Sequence, residues 1–147
     1  MYKHILVTTD GSKLSLKAVK TAAALAAELG ARLTGLYVMP QYAPAYGEAA
    51  LYLPADSPRK FKEAVEIDAA AALAFVAKAA DDAEISCTLS RVTGAQPWAA
   101  IIKFAQAKKC DLIVMASHGR RGLAGFVLGS ETTKVLTHSK VQVLVVR

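Results

Sequence analysis

The chain alternates between short apolar runs and longer segments in which apolar residues recur every three or four positions. The short runs are rich in β-branched residues and predict five strands, at 3–9, 31–39, 84–92, 111–116 and 141–146. The longer segments predict four helices, from Ser12 to Leu29, from Ser57-Pro58 to about Ala80, from Pro97 to Lys109, and over 129–139. Ser12 is a typical N-cap, Pro58 and Pro97 suit a first helical turn, and Gly30 suits a helix end.

This alternation of strands and helices predicts an α/β fold with a parallel sheet and helices on both faces. The strands "LIVM" and "VLVV" are almost wholly apolar, as expected for strands that are covered on both sides. The length of 147 residues, with no internal repeat or linker, indicates one doubly wound domain over 1–147. Alternation alone leaves the strand order open. One doubly wound order makes strands 1 and 4 neighbours at the switch point, where ligands bind.

Composition narrows the class of protein. Hydrophobic residues make up 54% and charged residues 20%, which is typical of a globular chain. The longest apolar stretch is interrupted by Glu28, Gly30 and Arg32, so we expect no membrane span and no membrane partner. The first residues lack the layout of a secretory signal. Cys87 and Cys110 form neither a disulfide framework nor a metal set, and we expect a reduced, cytoplasmic protein.

The net charge of +6 is spread over small groups of basic residues, at 59–62, 108–109 and 120–121. Nucleic-acid binding requires a denser patch with interleaved aromatic residues, so we expect no nucleic-acid partner. A solvated face is the simplest interpretation of the groups at 59–62 and 108–109. The positive balance suits a small anionic ligand such as a nucleotide.

The common phosphate-binding and nucleophile motifs are absent from the sequence. Neither G-x-x-x-x-G-K-[ST], G-x-G-x-x-G nor G-x-S-x-G occurs, and the three histidines have no metal-ligand spacing. What remains is Asp10 after strand 1, "ASHG" (116–119) after strand 4, and Gly129-Ser130 at the start of helix 4. If strands 1 and 4 are neighbours, these three features converge on one crevice.

Each of these features has a chemical use in such a crevice. Asp10 can accept hydrogen bonds from ribose hydroxyls or hold a divalent cation. Gly119 allows close approach of the backbone to a ligand. Gly129 and Ser130 expose the unpaired amides of a helix N-terminus, which favour phosphate.

The segment "SHGRRGLAGFVLGS", followed by "VQVLVV", resembles the universal stress protein family, as does the opening "ILVTTDGS". Nucleotide-binding members of that family carry G-2x-G-9x-G-[ST]. Gly119, the nine residues 120–128, Gly129 and Ser130 match this motif, whereas Ala116 occupies the place of its first glycine. The resemblance implies the strand order 3-2-1-4-5, a homodimer through strand 141–146, and binding of ATP, ADP or AMP, with or without Mg²⁺ or Mn²⁺. Dimerisation would also cover the apolar edge strand, which is otherwise an aggregation liability.

The resemblance also implies which residues form the site. Thr8, Thr9 and Asp10 would line the adenosine side, Val38 would touch the adenine, and Met115 and Ala116 would flank base and sugar. The phosphates would meet Gly119, Arg120, Gly129, Ser130, Glu131 and Thr132. No catalytic residue and no metal site is assigned, because a glutamate in the first helical turn usually only complements the helix dipole. We therefore expect ATP hydrolysis to be slow at most.

Several alternatives stay open. A left-handed backbone at Ala116 would cost about 1–2 kcal/mol, or roughly tenfold in affinity, whereas an extended backbone would cost nothing. Asp10 and Gly129-Ser130 can be helix caps only, Val38 and Met115 can be core residues only, and the tyrosines at 40–56 can cover either the site or the core edge. The favoured function is a nucleotide-binding regulator of the stress response with an unknown protein partner. The alternative is a dimeric scaffold of the same family without nucleotide.

Overall fold

The computed structural model describes residues 1–43, 58–120 and 127–147. Within these ranges lie five strands, β1 (His4–Thr8), β2 (Arg32–Met39), β3 (Cys87–Thr93), β4 (Leu112–Ala116) and β5 (Gln142–Val146). Four helices alternate with them: α1 (Lys13–Leu29), α2 (Pro58–Asp82), α3 (Pro97–Ala107) and α4 (Ser130–His138). The predicted order of elements is confirmed. None of the helices in these ranges is long and apolar enough to cross a bilayer.

All five strands form one parallel sheet in the order β3-β2-β1-β4-β5. This confirms the order 3-2-1-4-5 that the family resemblance implies. Ile5 in the central strand β1 pairs with Leu33 of β2 on one side and with Leu112 of β4 on the other. The carboxyl ends of β1 and β4 are therefore neighbours, as a ligand site at the switch point requires.

Two apolar layers cover the two faces of the sheet. On one face, Ile5 and Val7 pack with the alanine-rich sides of α1 and α2. On the other face, Leu6 and Ile113 pack with α3 and α4. Successive strand residues point to opposite faces, so both layers draw on the same strands and the helices lie on both sides, as predicted.

The helix ends explain where the observed bounds differ from the predicted ones. Ser12 caps α1 by accepting the Ser15 amide through its hydroxyl oxygen, and Gly30 ends α1 with φ 63°, both as expected. The third strand begins at Cys87 rather than at 84, because α2 continues to Asp82 and the next residues close its last turn. The Ile85 amide donates to the Ala80 carbonyl over 3.0 Å, and Glu84 has φ 57°. The expectations for Ser57, for most of the 40–56 loop and for Arg121 fall outside the described residues.

Candidate functional site

A cavity of about 210 Å³ opens at the carboxyl edge of the sheet, where β1, β2 and β4 meet the first turns of α3 and α4. Most of the predicted site residues line it: Thr8, Thr9, Asp10, Val38, Met115, Ala116, Gly119, Glu131 and Thr132. Arg120, Gly129 and Ser130 do not. Ser15, Leu36, Pro97, Ile101 and His118 also line it, and the sequence prediction omitted them.

One wall of the cavity is apolar. Val38 and Met115 lie on the α3–α4 side of the sheet, and Ile101 of α3 belongs to the same layer. Together with Pro97 they form a surface that suits a flat apolar ring. The position of Pro97 and Ile101 was accessible from the sequence, since a helix that follows a strand directly begins at the carboxyl edge of the sheet.

Asp10 joins two loops at the opposite wall. Its Oδ1 accepts the Ser12 amide over 2.9 Å, and its Oδ2 accepts the Arg120 amide over 2.9 Å. Burial raises the pKa of Asp10, but the hydrogen bonds from Ser12, the Arg120 amide and Ser15 outweigh it and hold the pKa below its ordinary value. Asp10 is thus an ionised carboxylate that precedes α1 and fixes the loop after β4, while Ser12 is the N-cap of α1.

Gly119 is required by this arrangement for space. A Cβ at Gly119 would overlap Oδ2 of Asp10. The only non-glycine residues with positive φ among those described are Glu84 and Lys109, and the glycines with positive φ there are Gly11 and Gly30, so Gly119 is not needed for its backbone conformation. It allows the β4 loop to approach Asp10.

Ala116 is the last residue of β4 and pairs with Val146. Its backbone is extended rather than left-handed, so the steric cost considered for this position does not arise. Its side chain is 8% exposed and belongs to the α1–α2 layer, opposite to Met115. The methyl group therefore forms part of the core as well as the cavity lining.

The first turn of α4 faces the loop after β4. The Gly129 amide donates to the Ser117 carbonyl over 2.7 Å, and a Cβ on Gly129 would stand only 3.1 Å from Cα of His118. Gly129 therefore serves close packing, and its amide is already bonded. The first helical bond runs from Thr133 to the Gly129 carbonyl, so the amides of Ser130, Glu131 and Thr132 precede the ladder and are those a helix leaves for an anion.

The side chains of this turn are bonded within the protein. Glu131 accepts the Trp98 amide over 2.8 Å through Oε2 and so caps α3, whose own N-cap residue Gln96 forms no side-chain cap. Thr132 is buried, and its hydroxyl donates to the Ala116 carbonyl over 2.9 Å, which ties α4 to β4. These two side chains thus position the helix, whereas the side chain of Ser130 is exposed to solvent.

Arg120 directs its guanidinium away from the start of α4. Its Nη1 lies 3.7 Å from Oδ2 of Asp68 on α2, and its Nη2 lies 2.7 Å from the place that a Cβ of Gly11 would take. Its backbone amide, rather than its side chain, contacts Asp10. In this arrangement Arg120 connects the β4 loop to α2.

Thr9 and Ser15 complete the polar wall. Their hydroxyl oxygens lie 3.0 Å apart, and Thr9 also accepts the Gly11 amide. Over the described ranges, no group of three histidine, cysteine, aspartate or glutamate side chains is arranged to hold a metal ion.

Several known proteins of similar sequence and structure are universal stress proteins. The profile of the universal stress protein family matches residues 1–147. The universal stress protein MJ0531 of Methanocaldococcus jannaschii is 35% identical over all of this chain and 83% of its own length. The universal stress protein UspA of Lactobacillus plantarum is 29% identical with a TM-score of 0.75, covering 99% of this chain and 98% of its own.

A universal stress protein crystallised in complex with cAMP is also 29% identical, with a TM-score of 0.73, covering 99% of this chain and 97% of its own. The sheet order, the glycine motif around the cavity and these matches over the whole length agree. The chain belongs to the universal stress protein family.

Proposed function

We propose that this protein binds an adenine nucleotide (ATP, ADP or AMP) in the cavity at the carboxyl edge of the sheet. The observation that carries the proposal is that one cavity brings together an apolar wall, an ionised carboxylate and a helix N-terminus. These three suit the base, the ribose hydroxyls and the phosphate of one molecule. The cAMP complex of a relative 29% identical supports the same class of ligand.

In the proposed complex the adenine packs against Val38, Met115 and Ile101. Asp10 accepts hydrogen bonds from the ribose through lone pairs that the Ser12 and Arg120 amides leave available. The phosphate meets the backbone amides of Ser130, Glu131 and Thr132. Protein side chains near the phosphate contribute little positive charge, since Arg120 faces Asp68 and Glu131 caps α3.

The extended backbone at Ala116 supports nucleotide binding over a nucleotide-free scaffold, because alanine there requires no strained conformation. We further propose that the whole chain, 1–147, acts as one regulatory domain of the stress response in the cytoplasm. In this proposal it forms a homodimer through β5, works through a protein partner and hydrolyses ATP slowly at most. Any Mg²⁺ or Mn²⁺ would enter with the nucleotide phosphates.

Calorimetric titration with ATP, ADP, AMP and adenosine tests the proposal. We expect saturable binding at millimolar concentration or below, accompanied by a thermal shift. Ser130→Asp places a charge at the exposed first helical position, and it should weaken AMP binding about tenfold while leaving adenosine binding within about twofold. Ser130→Ala is the matched control and should bind AMP as the wild type does. Absence of heat and of thermal shift with all four ligands would refute the proposal.

A further inference from the structure

We propose that the edge of the sheet opposite the nucleotide site binds a short acidic segment of a partner protein. A cleft of about 500 Å³ lies there, where β1, β4 and β5 begin. We call it the amino-edge cleft, and its lining residues are Met1, Tyr2, Cys110, Asp111, Lys140, Val141 and Gln142. The nucleotide cavity shares none of these residues.

Four lysines lie in the lining of the amino-edge cleft or close to lining residues in the chain; of these, Lys108 places its ammonium 5.9 Å from the ring centroid of Phe104. Lys140 lines the cleft, Lys3 precedes β1, and Lys108 and Lys109 connect α3 to β4; all four are exposed. Among the residues the structure describes, none of the four forms an ion pair. The ion pairs there join other residues, as in Arg59–Glu63 and Lys78–Asp82 on α2. Four lysines therefore lie in or beside this cleft, against the single carboxylate of Asp111 in its lining.

The carboxylate within the cleft has a structural task. Asp111 accepts the Lys3 amide over 2.8 Å and the His4 amide over 3.1 Å, and its own amide donates to the His4 carbonyl. These bonds hold the connection before β4 against the chain before β1. Asp111 offsets one of the four positive charges. The other carboxylates of this edge lie towards β2 and β3: Glu28 in the last turn of α1, Asp81 and Asp82 in the last turn of α2, and Glu84 between α2 and β3.

Lys109 occupies a position that favours glycine. Its φ is 54°, and the Cys110 amide donates to the Ala105 carbonyl over 2.8 Å, which closes the last turn of α3. The equivalent turn of α1 uses Gly30, with φ 63°. A lysine whose backbone is left-handed lowers the stability of the protein, whereas a glycine in the same conformation does not. Glu84 ends α2 in the same way, with φ 57°, so the contribution of Lys109 to the cleft is the positive charge of its exposed side chain.

An acidic peptide fits this surface better than a nucleic acid does. The lysines span β1, β4 and β5, which is about 10 Å across two strand spacings, or roughly three residues of extended peptide. The aromatic residue in the cleft lining, Tyr2, donates its hydroxyl to Gln142 and offers no stacking platform of several rings. The cleft between the lysines has room for an apolar side chain within the acidic segment.

Fluorescence polarisation tests this proposal, with the labelled peptide Gly-Glu-Glu-Leu-Glu-Glu-Gly as probe and its glutamine analogue as control peptide. We expect the glutamate peptide to bind at low salt and the analogue to bind at least tenfold more weakly. Lys109→Gly should weaken binding about two- to fivefold, as expected for a surface charge pair. The same variant should melt at an equal or higher temperature, because glycine relieves the left-handed strain, and loss of folding cannot then explain the effect.

A combined variant (Lys3→Gln, Lys108→Gln and Lys140→Gln) should weaken binding more than tenfold. Lys20→Gln, which removes an exposed lysine in the middle of α1, should leave it unchanged. Equal binding of the two peptides, or full binding by the combined variant, would overturn the proposal. The proposal would also be overturned if binding of single-stranded oligothymidylate depended on these lysines and binding of the glutamate peptide did not. The combined variant should bind AMP as the wild type does, because none of its three positions lines the nucleotide cavity. The outcome for the peptide is therefore independent of the outcome for the nucleotide.

Discussion

At Ala116 the methyl group stands on the extended backbone of β4 and contacts both the core and the cavity. The family motif has glycine there, and a glycine can serve either a left-handed backbone or close approach to a ligand. Because the backbone lies outside the left-handed region, conformation is not the reason. In the proposed complex the effect of Ala116 on nucleotide affinity therefore depends on whether its methyl group touches the ligand, which a single substitution measures.

Ala116→Gly should destabilise the protein with little effect on binding. Glycine within a strand costs about 0.5–1 kcal/mol in backbone entropy, and the buried methyl contributes about 0.8 kcal/mol. We expect the melting temperature to fall by a few degrees and the AMP dissociation constant to change less than threefold. Thermal melts and calorimetry on the same samples measure both. A gain in affinity above tenfold would contradict this, since it would mean that the methyl group obstructs the ligand.

Asp10 gives stability a specific pH dependence. Hydrogen bonds hold its folded pKa below the ordinary 3.8, so its contribution is fully present above 3.8 and is lost as pH falls through the lowered pKa. Asp10→Asn should therefore be less stable than the wild type at pH 7, and the difference should shrink only below pH 3.8. Urea unfolding of both proteins between pH 7 and pH 2.5 measures it. A difference that stays constant down to pH 2.5 would show that ionisation of Asp10 is not its cause.

At the scale of elements, Glu131 links two helices that are separated in the sequence. It begins α4 but caps the amide of Trp98 in α3, and Trp98 also stacks against His138 at the other end of α4, with ring centroids 4.7 Å apart. α3 and α4 are therefore held together near both ends of α4. The carboxylate that stabilises this pair also lines the cavity, where it would repel the phosphate of the proposed nucleotide.

Glu131→Gln should separate these two effects. Glutamine keeps an acceptor for the Trp98 amide but loses the charge that complements the α3 N-terminus, so we expect a loss of about 0.5–1 kcal/mol. That corresponds to a melting temperature roughly 1–4 °C lower. AMP affinity should increase two- to fivefold in the same protein. Weaker AMP binding would instead indicate that the carboxylate acts on the ligand directly.

The sequence predicted elements well because periodicity and end signals are local. Ser12 and Gly30 mark α1 at both ends, and the strand order followed from the family resemblance. Side-chain bonds at the cavity could not be predicted in this way, because they join distant segments. Glu131 was assigned to phosphate because nothing in its neighbourhood shows that Trp98 lies beside it. The start of β3 was misplaced since Glu84, in a left-handed conformation, ends α2 without the usual glycine.

At the scale of the whole molecule, the two edges of the sheet are β3 and β5, and both expose a leucine. Leu89 of β3 is 42% exposed and Leu144 of β5 is 37% exposed. An open parallel sheet leaves both edges free to pair with another chain. The proposed homodimer uses only β5, so the two leucines provide a matched pair of positions for testing it.

Leu144→Lys should convert the protein from dimer to monomer at micromolar concentration, because it places a charge on the pairing edge of β5 and opposes the equivalent charge of a second copy. Leu89→Lys makes the same change on β3, and it should leave the dimer intact. Light scattering coupled to size exclusion measures the mass of each variant and of the wild type. Dissociation by Leu89→Lys alone would assign the interface to β3, and a wild-type monomer would refute the dimer. If only Leu144→Lys dissociates, the strand that ends beside Ala116 also forms the contact between copies. The proposed nucleotide cavity, which Met115 and Ala116 of β4 line, then lies one strand away from that contact.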